Sequence, residues 1–383
     1  LRRVLYMMNL MEKETGASWL TYANLARKTK NFNQAHYAML QAKQYSKDLP
    51  KHILKDAKLL YTEGKVAKAL SILENANIQG PPKLAAKINL LVANWNKETK
   101  SRRTDEIKLQ YEKVLNQAKE WEEGYFYFAK FLDANFRPKG ESESSSSNFS
   151  QAEILDIIKN YGNTLQYGLK HIFHALPRFI KLFCLAGEAS TIDRELLEVV
   201  NHFFEHLHPG IWMNAFYQLT THMDHPNSSV KDSIRRLIKR LLHAYPKHVL
   251  WLLASPFNEK NSQTKKFLSE GSKNTELGRL LKTYEKIFQG LIDISDQNKP
   301  AKVPAGKHKN VFIIAGAKKF NGLETNHVMV PTLERLTPDV PTYSVIQDST
   351  NDELRDHTNN MVNIQQLLPE FTIMQSKAKP KKI

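Results

Sequence analysis

The stretch WLTYANLARKTKNFNQAHYAMLQA (residues 19–42) decides how the chain is read, because it returns 34 residues later as ILKDAKLLYTEGKVAKALSILENA (residues 53–76). At that shift Trp19 falls on Ile53, Leu20 on Leu54, Ala23 on Ala57, Phe32 on Val66, Ala35 on Ala69, Met39 on Leu73 and Ala42 on Ala76. Apolar positions within each copy recur every three or four residues, the period of one helix face. A tight turn at Lys30-Asn31, and at Gly64-Lys65 in the second copy, divides each into two helices. Alanines stand where two helix backbones must approach closely, and larger side chains fill the gaps between them. One such hairpin cannot bury its apolar stripe alone, so neighbours have to stack.

A helical hairpin repeating every 34 residues is the tetratricopeptide (TPR) pattern, and further hairpins are expected. Residues 84–95 form an apolar-periodic helix opened by Pro81-Pro82, and Ile107, Tyr111, Val114, Leu115 and Ala118 make the next stripe. The ring-rich segment Trp121, Tyr125, Phe126, Phe128, Ala129 and Leu132 reads as core packing between stacked helices. Residues 138–150, with Glu141-Ser142-Glu143-Ser144 through Ser147, form a polar low-complexity loop. Helices are then expected over 152–168, 171–185, 191–207, 209–222, 228–245 and 246–253, each bounded by Pro, Gly, Asp or Ser. Their short connections indicate helical hairpins of HEAT-like character without a strict period. A long helical pattern spans 262–294. After Pro300 the composition turns proline-rich, with two β-prone runs at Val311-Phe312-Ile313-Ile314 and Phe371-Thr372-Ile373-Met374.

Composition agrees with helix. The 383 residues include only 15 glycines, and 41% are apolar against 25% charged, which suits an all-α chain able to bury a substantial core. The single Cys184 excludes a disulfide framework and any paired-thiol zinc or redox site. No apolar run of about 18 residues or more occurs, and the N-terminus lacks the regions of a signal peptide, so neither membrane spanning nor secretion is expected. A start at Leu1 in place of Met reads as a piece of a longer protein. The 55 Lys and Arg outnumber the 39 Asp and Glu by 16, which invites a nucleic-acid reading. The cations are interleaved with acids along helix faces, as on a solvated helical surface, and direct, specific nucleic-acid binding is not expected.

Candidate chemistry is offered and declined. His202-Phe203-Phe204-Glu205-His206 matches the H-x-x-E-H metalloprotease pattern, with two imidazoles one helical turn apart. The same string is equally an amphipathic helix whose phenylalanines face the core while the histidines sit at a wet edge; His208, His222 and His225 do not improve its spacing. Leu354-Arg355-Asp356-His357-Thr358-Asn359-Asn360 resembles a kinase catalytic loop but lacks the surrounding phosphate loop and strand lysine. Cys184, between Phe183 and Leu185, reads as inert packing. The helix over 228–245 sets Ile234, Leu237, Ile238, Leu241 and Tyr245 against Lys231, Arg235, Arg236, Lys239, Arg240 and His243, a basic face that is either solvated or turned to an acidic partner or phosphates. No catalytic, cofactor-binding or metal residue is assigned within the chain.

The order of segments resembles the FAT region of phosphatidylinositol-3-kinase-related protein kinases, most closely the ATR branch. The resemblance rests on Ala26-Arg27-Lys28 with Ala35-His36-Tyr37-Ala38-Met39-Leu40, on Ala57-Lys58 with Gly64 and Ala69-Leu70, on residues 121–130 (WEEGYFYFAK), and on residues 161–168 (YGNTLQYG). Leu176-Pro177-Arg178, Phe216-Tyr217-Gln218-Leu219, Ala244-Tyr245-Pro246 and Val330-Pro331-Thr332-Leu333 follow in the same order, and Lys379-Pro380-Lys381-Lys382-Ile383 is similar to the place where a kinase amino lobe begins. The resemblance implies an α-solenoid: TPR-like repeats over 1–137, the Ser-rich loop over 138–150, HEAT-like repeats over 151–297, an irregular linker over 298–370 and the start of a kinase amino lobe over 371–383. It also implies a scaffold that supports and regulates its own kinase domain in the DNA-damage and replication-stress checkpoint. That kinase would use ATP and Mg2+, with an ATR-interacting partner protein, a homodimeric assembly and a nuclear location; its catalytic residues would lie beyond Ile383. The alternative is a free-standing TPR/HEAT adaptor that binds peptides in its groove.

Overall fold

The computed structural model describes residues 12–45, 49–76, 82–136, 150–189, 191–253 and 276–295, together with short strands after residue 300. Two compact units divide the chain, Leu1–Phe136 and Arg137–Ile383.

In the first unit, α1 (Glu12–Lys28) and α2 (Phe32–Tyr45) form one hairpin, α3 (Leu49–Thr62) and α4 (Val66–Glu74) a second, and α5 (Pro82–Thr99) and α6 (Thr104–Gln117) a third. Helix α7 (Glu122–Asn135) packs on α5 and α6. All three hairpins turn in the same way. Lys30 (φ +59°), Gly64 (φ +86°) and Lys100 (φ +53°) are left-handed. The residue after each sends its N–H back five positions: Asn31 to the Ala26 carbonyl (2.8 Å), Lys65 to Leu60 (2.9 Å) and Ser101 to Asn96 (3.2 Å). Each left-handed residue itself donates to the carbonyl three positions back, which completes a Schellman closure of the helix end. Lys30 and Gly64 lie one repeat apart, so the period holds in backbone conformation although the residue type differs. In both, the next residue already opens the following helix, with Ala35 N–H donating to the Asn31 carbonyl and Ala69 N–H to the Lys65 carbonyl, each at 3.0 Å.

Burial follows the repeat. Ala23, Ala35, Ala38, Ala42, Ala57 and Ala69 are all buried at helix contacts. Each cluster also borrows from its neighbour: the first hairpin's core takes in Leu59 of α3, and the second's takes in Ile88, Val92 and Trp95 of α5. Tyr61 stacks on Trp95 with ring centroids 4.2 Å apart across that junction. This is the neighbour-on-neighbour burial that a repeat array requires.

In the second unit, Ser150 caps α8 (Gln151–Tyr167) by accepting from the Glu153 N–H, and α9 (Ile172–Gly187) and α10 (Arg194–His206) pack on it. Helices α11 (Pro209–Met213) and α12 (Phe216–Thr221) lead to α13 (Ser228–Ala244), α14 (Pro246–Leu252) and α15 (Glu276–Ser295). One continuous helix over 209–222 was expected, and the structure corrects it. Asn214 turns its side-chain amide back onto the carbonyls of Gly210 (3.1 Å) and Ile211 (3.2 Å), and the Asn214 and Ala215 N–H groups bond three residues back, so the helix tightens and ends there. The core is aromatic: Trp212 meets Phe204 at 4.9 Å and Phe179 at 5.6 Å, and Phe183 meets Phe204 at 5.8 Å. Glycine makes room for it. A Cβ on Gly162 would stand 2.3 Å from the Phe203 ring, and one on Gly187 would stand 2.4 Å from Val230.

After residue 300, β2 (Val311–Ile313) pairs antiparallel with β1 (Ala301–Lys302) and with β5 (Glu370–Thr372), and β3 (Met329–Pro331) pairs antiparallel with β4 (Met361–Asn363). The two β-prone runs of the sequence are therefore partners, with Phe312 opposite Phe371. Helices carry the fold, in keeping with an all-α class. Residues 138–149, 262–275, 354–360 and 373–383, which hold the Ser-rich loop, the start of the long helical pattern, the kinase-like string and the basic end, lie outside the described residues.

Candidate interaction surfaces

The H-x-x-E-H string forms the last turns of α10. Phe203 and Phe204 are buried while His202, Glu205 and His206 are exposed. The two imidazoles stack with ring centroids 4.1 Å apart, and His206 Nδ1 donates to the His202 carbonyl at 2.8 Å, so one ring nitrogen is spent on the helix itself. Among the described residues no group of three or more His, Cys, Asp or Glu could hold a metal ion. His208 Nδ1 accepts from the Gly210 N–H at 3.2 Å and His225 Nδ1 from the Asn227 N–H at 3.1 Å; both act at the openings of helices. Burial, then the neighbouring His225, holds His222 below the ordinary histidine range. Burial also pushes the Cys184 thiol up to about 12, which leaves no thiolate near neutral pH.

The basic helix α13 is divided by its packing. Its apolar residues Ile234, Leu237, Ile238 and Leu241 are buried. Two of its five Lys and Arg side chains turn inward. Arg240 Nη1 donates to the carbonyls of Phe204 and Leu207 at the end of α10, where the helix dipole favours a cation. Arg235 donates from Nε to the Met223 carbonyl (3.1 Å) and from Nη2 to Asp224 (2.7 Å). Arg236, Lys239 and His243 remain exposed.

Sequence reading missed a second basic surface, made by the first helices of the hairpins. Arg27 and Lys28 in the last turn of α1, Lys55 and Lys58 on α3 and Lys87 on α5 are close enough for their charges to act on one another. The visible signal is the i, i+3 pair of lysines on α3; the rest is tertiary. Among the described residues no helix is long and apolar enough to cross a membrane.

The comparisons with known proteins divide the chain between residues 181 and 195. A family model described as the FAT domain matches residues 1–181, and one described as Serine/threonine-protein kinase ATR-like, HEAT repeats, matches 195–283. Serine/threonine-protein kinase ATR of Drosophila melanogaster is 22% identical over 409 aligned residues, covering 99% of this chain and 16% of the relative. Its namesake in Oryza sativa subsp. indica is 24% identical over 320, covering 66% of this chain and 12% of the relative. The chain thus spans about a sixth or less of the length of these relatives. Among solved structures, one described as the FAT and kinase domain of CtTel1 superposes with a TM-score of 0.68 at 13% identity, covering 94% of this chain and 29% of that one; it shares the fold. The complete CtTel1 dimer with C2 symmetry gives 0.64 at 13% identity, with 92% and 15% covered. Two successive matches and relatives that share one name make this chain similar to a FAT domain over residues 1–181 and to ATR-like HEAT repeats over 195–283.

Proposed function

We propose that the chain is the structural and regulatory scaffold of a serine/threonine protein kinase of the DNA-damage and replication-stress checkpoint. The observation that supports this most is the neighbour-on-neighbour burial of the hairpins within a FAT match that is followed at once by an ATR-like HEAT match. In such an array a displacement of one hairpin is passed to the next, so the scaffold can bias the position of a kinase domain joined to it. TPR-like repeats over 1–137, HEAT-like repeats over 151–297 and a kinase amino lobe starting at 371–383 are the domain division of this reading. ATP and Mg2+ belong to the kinase domain; among the described residues no group of three or more His, Cys, Asp or Glu could hold the metal. Homodimer formation, an ATR-interacting partner protein and a nuclear location complete the proposal. The reach of the relatives beyond this chain favours it over a free-standing adaptor.

The purified 383-residue chain is expected to give a strongly helical circular dichroism spectrum and no transfer of radiolabelled phosphate from ATP to a peptide. Phosphotransfer by this chain alone overturns the reading. In the intact kinase, Trp212→Ala is expected to lower phosphotransfer although no kinase residue is touched; unchanged activity overturns the regulatory coupling.

A further inference from the structure

We propose that the face formed by α1, α3 and α5 docks an acidic peptide segment of a partner protein, held by Arg27, Lys28, Lys55, Lys58 and Lys87. Arg27 is fixed in place, with Nη1 donating to Thr62 Oγ1 of α3 at 3.1 Å and Nη2 to Asn24 Oδ1 at 2.9 Å. Lys55 and Lys58 share its side of α3, and Lys58 lies within the field of both Arg27 and Lys87. Partial burial first, then repulsion from Arg27 and Lys28, holds the Lys55 ammonium below its ordinary pKa; Lys58 is held down by burial, then by Lys55, Arg27 and Lys87.

Acids of the same hairpins are engaged elsewhere. Asp56 pairs with Lys43 of α2 at 2.5 Å. Glu63 pairs with His36 of α2 and with Lys65 at 2.9 Å, and Glu74 pairs with Arg102 at 3.4 Å. Asp56 of α3, and Glu63 just past its end, lie on the side of the second helices, while 55, 58 and 62 share a side about a third of a turn away, as the helical period dictates. Glu123 acts on Lys58, and its effect is the smallest of those felt there. The ammonium groups of Lys28, Lys55, Lys58 and Lys87 have no ion-pair or hydrogen-bond partner among the described residues. The folded chain therefore holds five cations against one another on a partly desolvated face, a cost that an anionic ligand removes.

The layout favours a peptide over a nucleic acid. Packed helices lie about 8–10 Å apart, and an extended chain advances about 10 Å over three residues. An acidic side chain at every third residue thus meets one helix after the next. The patch covers only three helices, whereas a nucleic acid gains its affinity from a longer run of phosphate contacts.

The test uses the full 383-residue chain and two fluorescein-labelled probes at low ionic strength: a peptide of Glu-Ser-Gly repeats and an oligothymidylate. The acidic peptide is expected to bind, to weaken as salt rises, and to lose about tenfold or more in affinity with Lys55→Gln/Lys58→Gln. Arg236→Gln/Lys239→Gln, on the exposed face of α13, is expected to leave it unchanged, and circular dichroism verifies that both variants fold. Retention of affinity within about twofold in Lys55→Gln/Lys58→Gln overturns the proposal. So does equal binding of the peptide with Gln in place of Glu, or tighter binding of the oligothymidylate that the same two substitutions abolish.

Discussion

The first two hairpins (residues 12–76) and the helices from α8 to α13 (residues 150–244) are both stacked helices, yet they are held together by opposite means. In the former, small residues bring the backbones close: Ala23, Ala35, Ala38, Ala42, Ala57 and Ala69 occupy the contacts, and one turn geometry is used at Lys30 and again at Gly64. In the latter, large rings fill the interior and glycine makes room for them, with Trp212, Phe179, Phe183 and Phe204 in mutual contact and Gly162 lying under Phe203. A strict period leaves a mark in sequence because every contact recurs at one spacing. A core of interlocking rings has no such period, since each ring answers to a different neighbour.

Opposite substitutions should therefore break the two regions. Trp212→Ala removes the largest wholly buried side chain among the described residues and leaves a void among rings fixed by one another, so the expected loss is about 3–5 kcal/mol. In the alanine-packed region the damaging change is enlargement. Ala57→Leu forces methyl groups between α3 and its neighbours at an expected cost of about 1–3 kcal/mol. Urea unfolding gives the totals. Hydrogen exchange resolved by peptide separates the sites: faster exchange in α9–α13 alone for Trp212→Ala, and in α1–α5 alone for Ala57→Leu. If both variants raise exchange everywhere, the two regions do not differ in the way described.

A finer test concerns the shared turn. Gly64 has open space around its missing Cβ, so Gly64→Ala suffers only from the left-handed backbone and should cost about 1 kcal/mol. Lys30→Gly relieves the same strain at the equivalent position and should gain a few tenths of a kcal/mol to about 1. Opposite signs at two residues one repeat apart would establish that the turn, and not its side chain, is what repeats. Equal signs would show that Lys30 is held by interactions of its stem.

Much of this was legible. The shift by 34 predicted the hairpins, both turns and the buried alanines, because each follows from local spacing. The break at Asn214 was not, since nothing in residues 209–222 distinguishes an amide facing solvent from one turned onto its own helix. The inward turn of Arg235 and Arg240 on α13 was equally hidden: charge pattern marks a basic face, and only the neighbouring carbonyls of Met223, Phe204 and Leu207 decide which cations it keeps. The α1–α3–α5 patch joins residues from Arg27 to Lys87, and no window of sequence holds all of them.

The smallest expected effect lies at α3 and the residue just past its end, whose two sides should respond to pH at opposite ends of the scale. Burial pushes the Glu63 carboxyl up, but the Lys65 ammonium and the His36 ring override it and hold it below the ordinary carboxylate range. A carboxylate whose pKa is lower folded than unfolded adds stability that is complete above about pH 4.3 and is lost as pH falls through the lower folded value. Glu63→Gln should therefore be less stable than the parent at neutral pH, with the gap closing as pH falls below about 4.3. On the other side, Lys55 and Lys58 also have lowered pKa values, and for a cation the sign reverses: the unfolded chain binds the proton more tightly, so stability rises as pH climbs through the folded value towards about 10.4. Lys55→Gln/Lys58→Gln should remove that alkaline rise and melt slightly above the parent at neutral pH. Urea midpoints of the three proteins across the pH range check both limbs. A constant gap between the parent and Lys55→Gln/Lys58→Gln across the alkaline end would mean that the lysines on α3 carry no mutual strain.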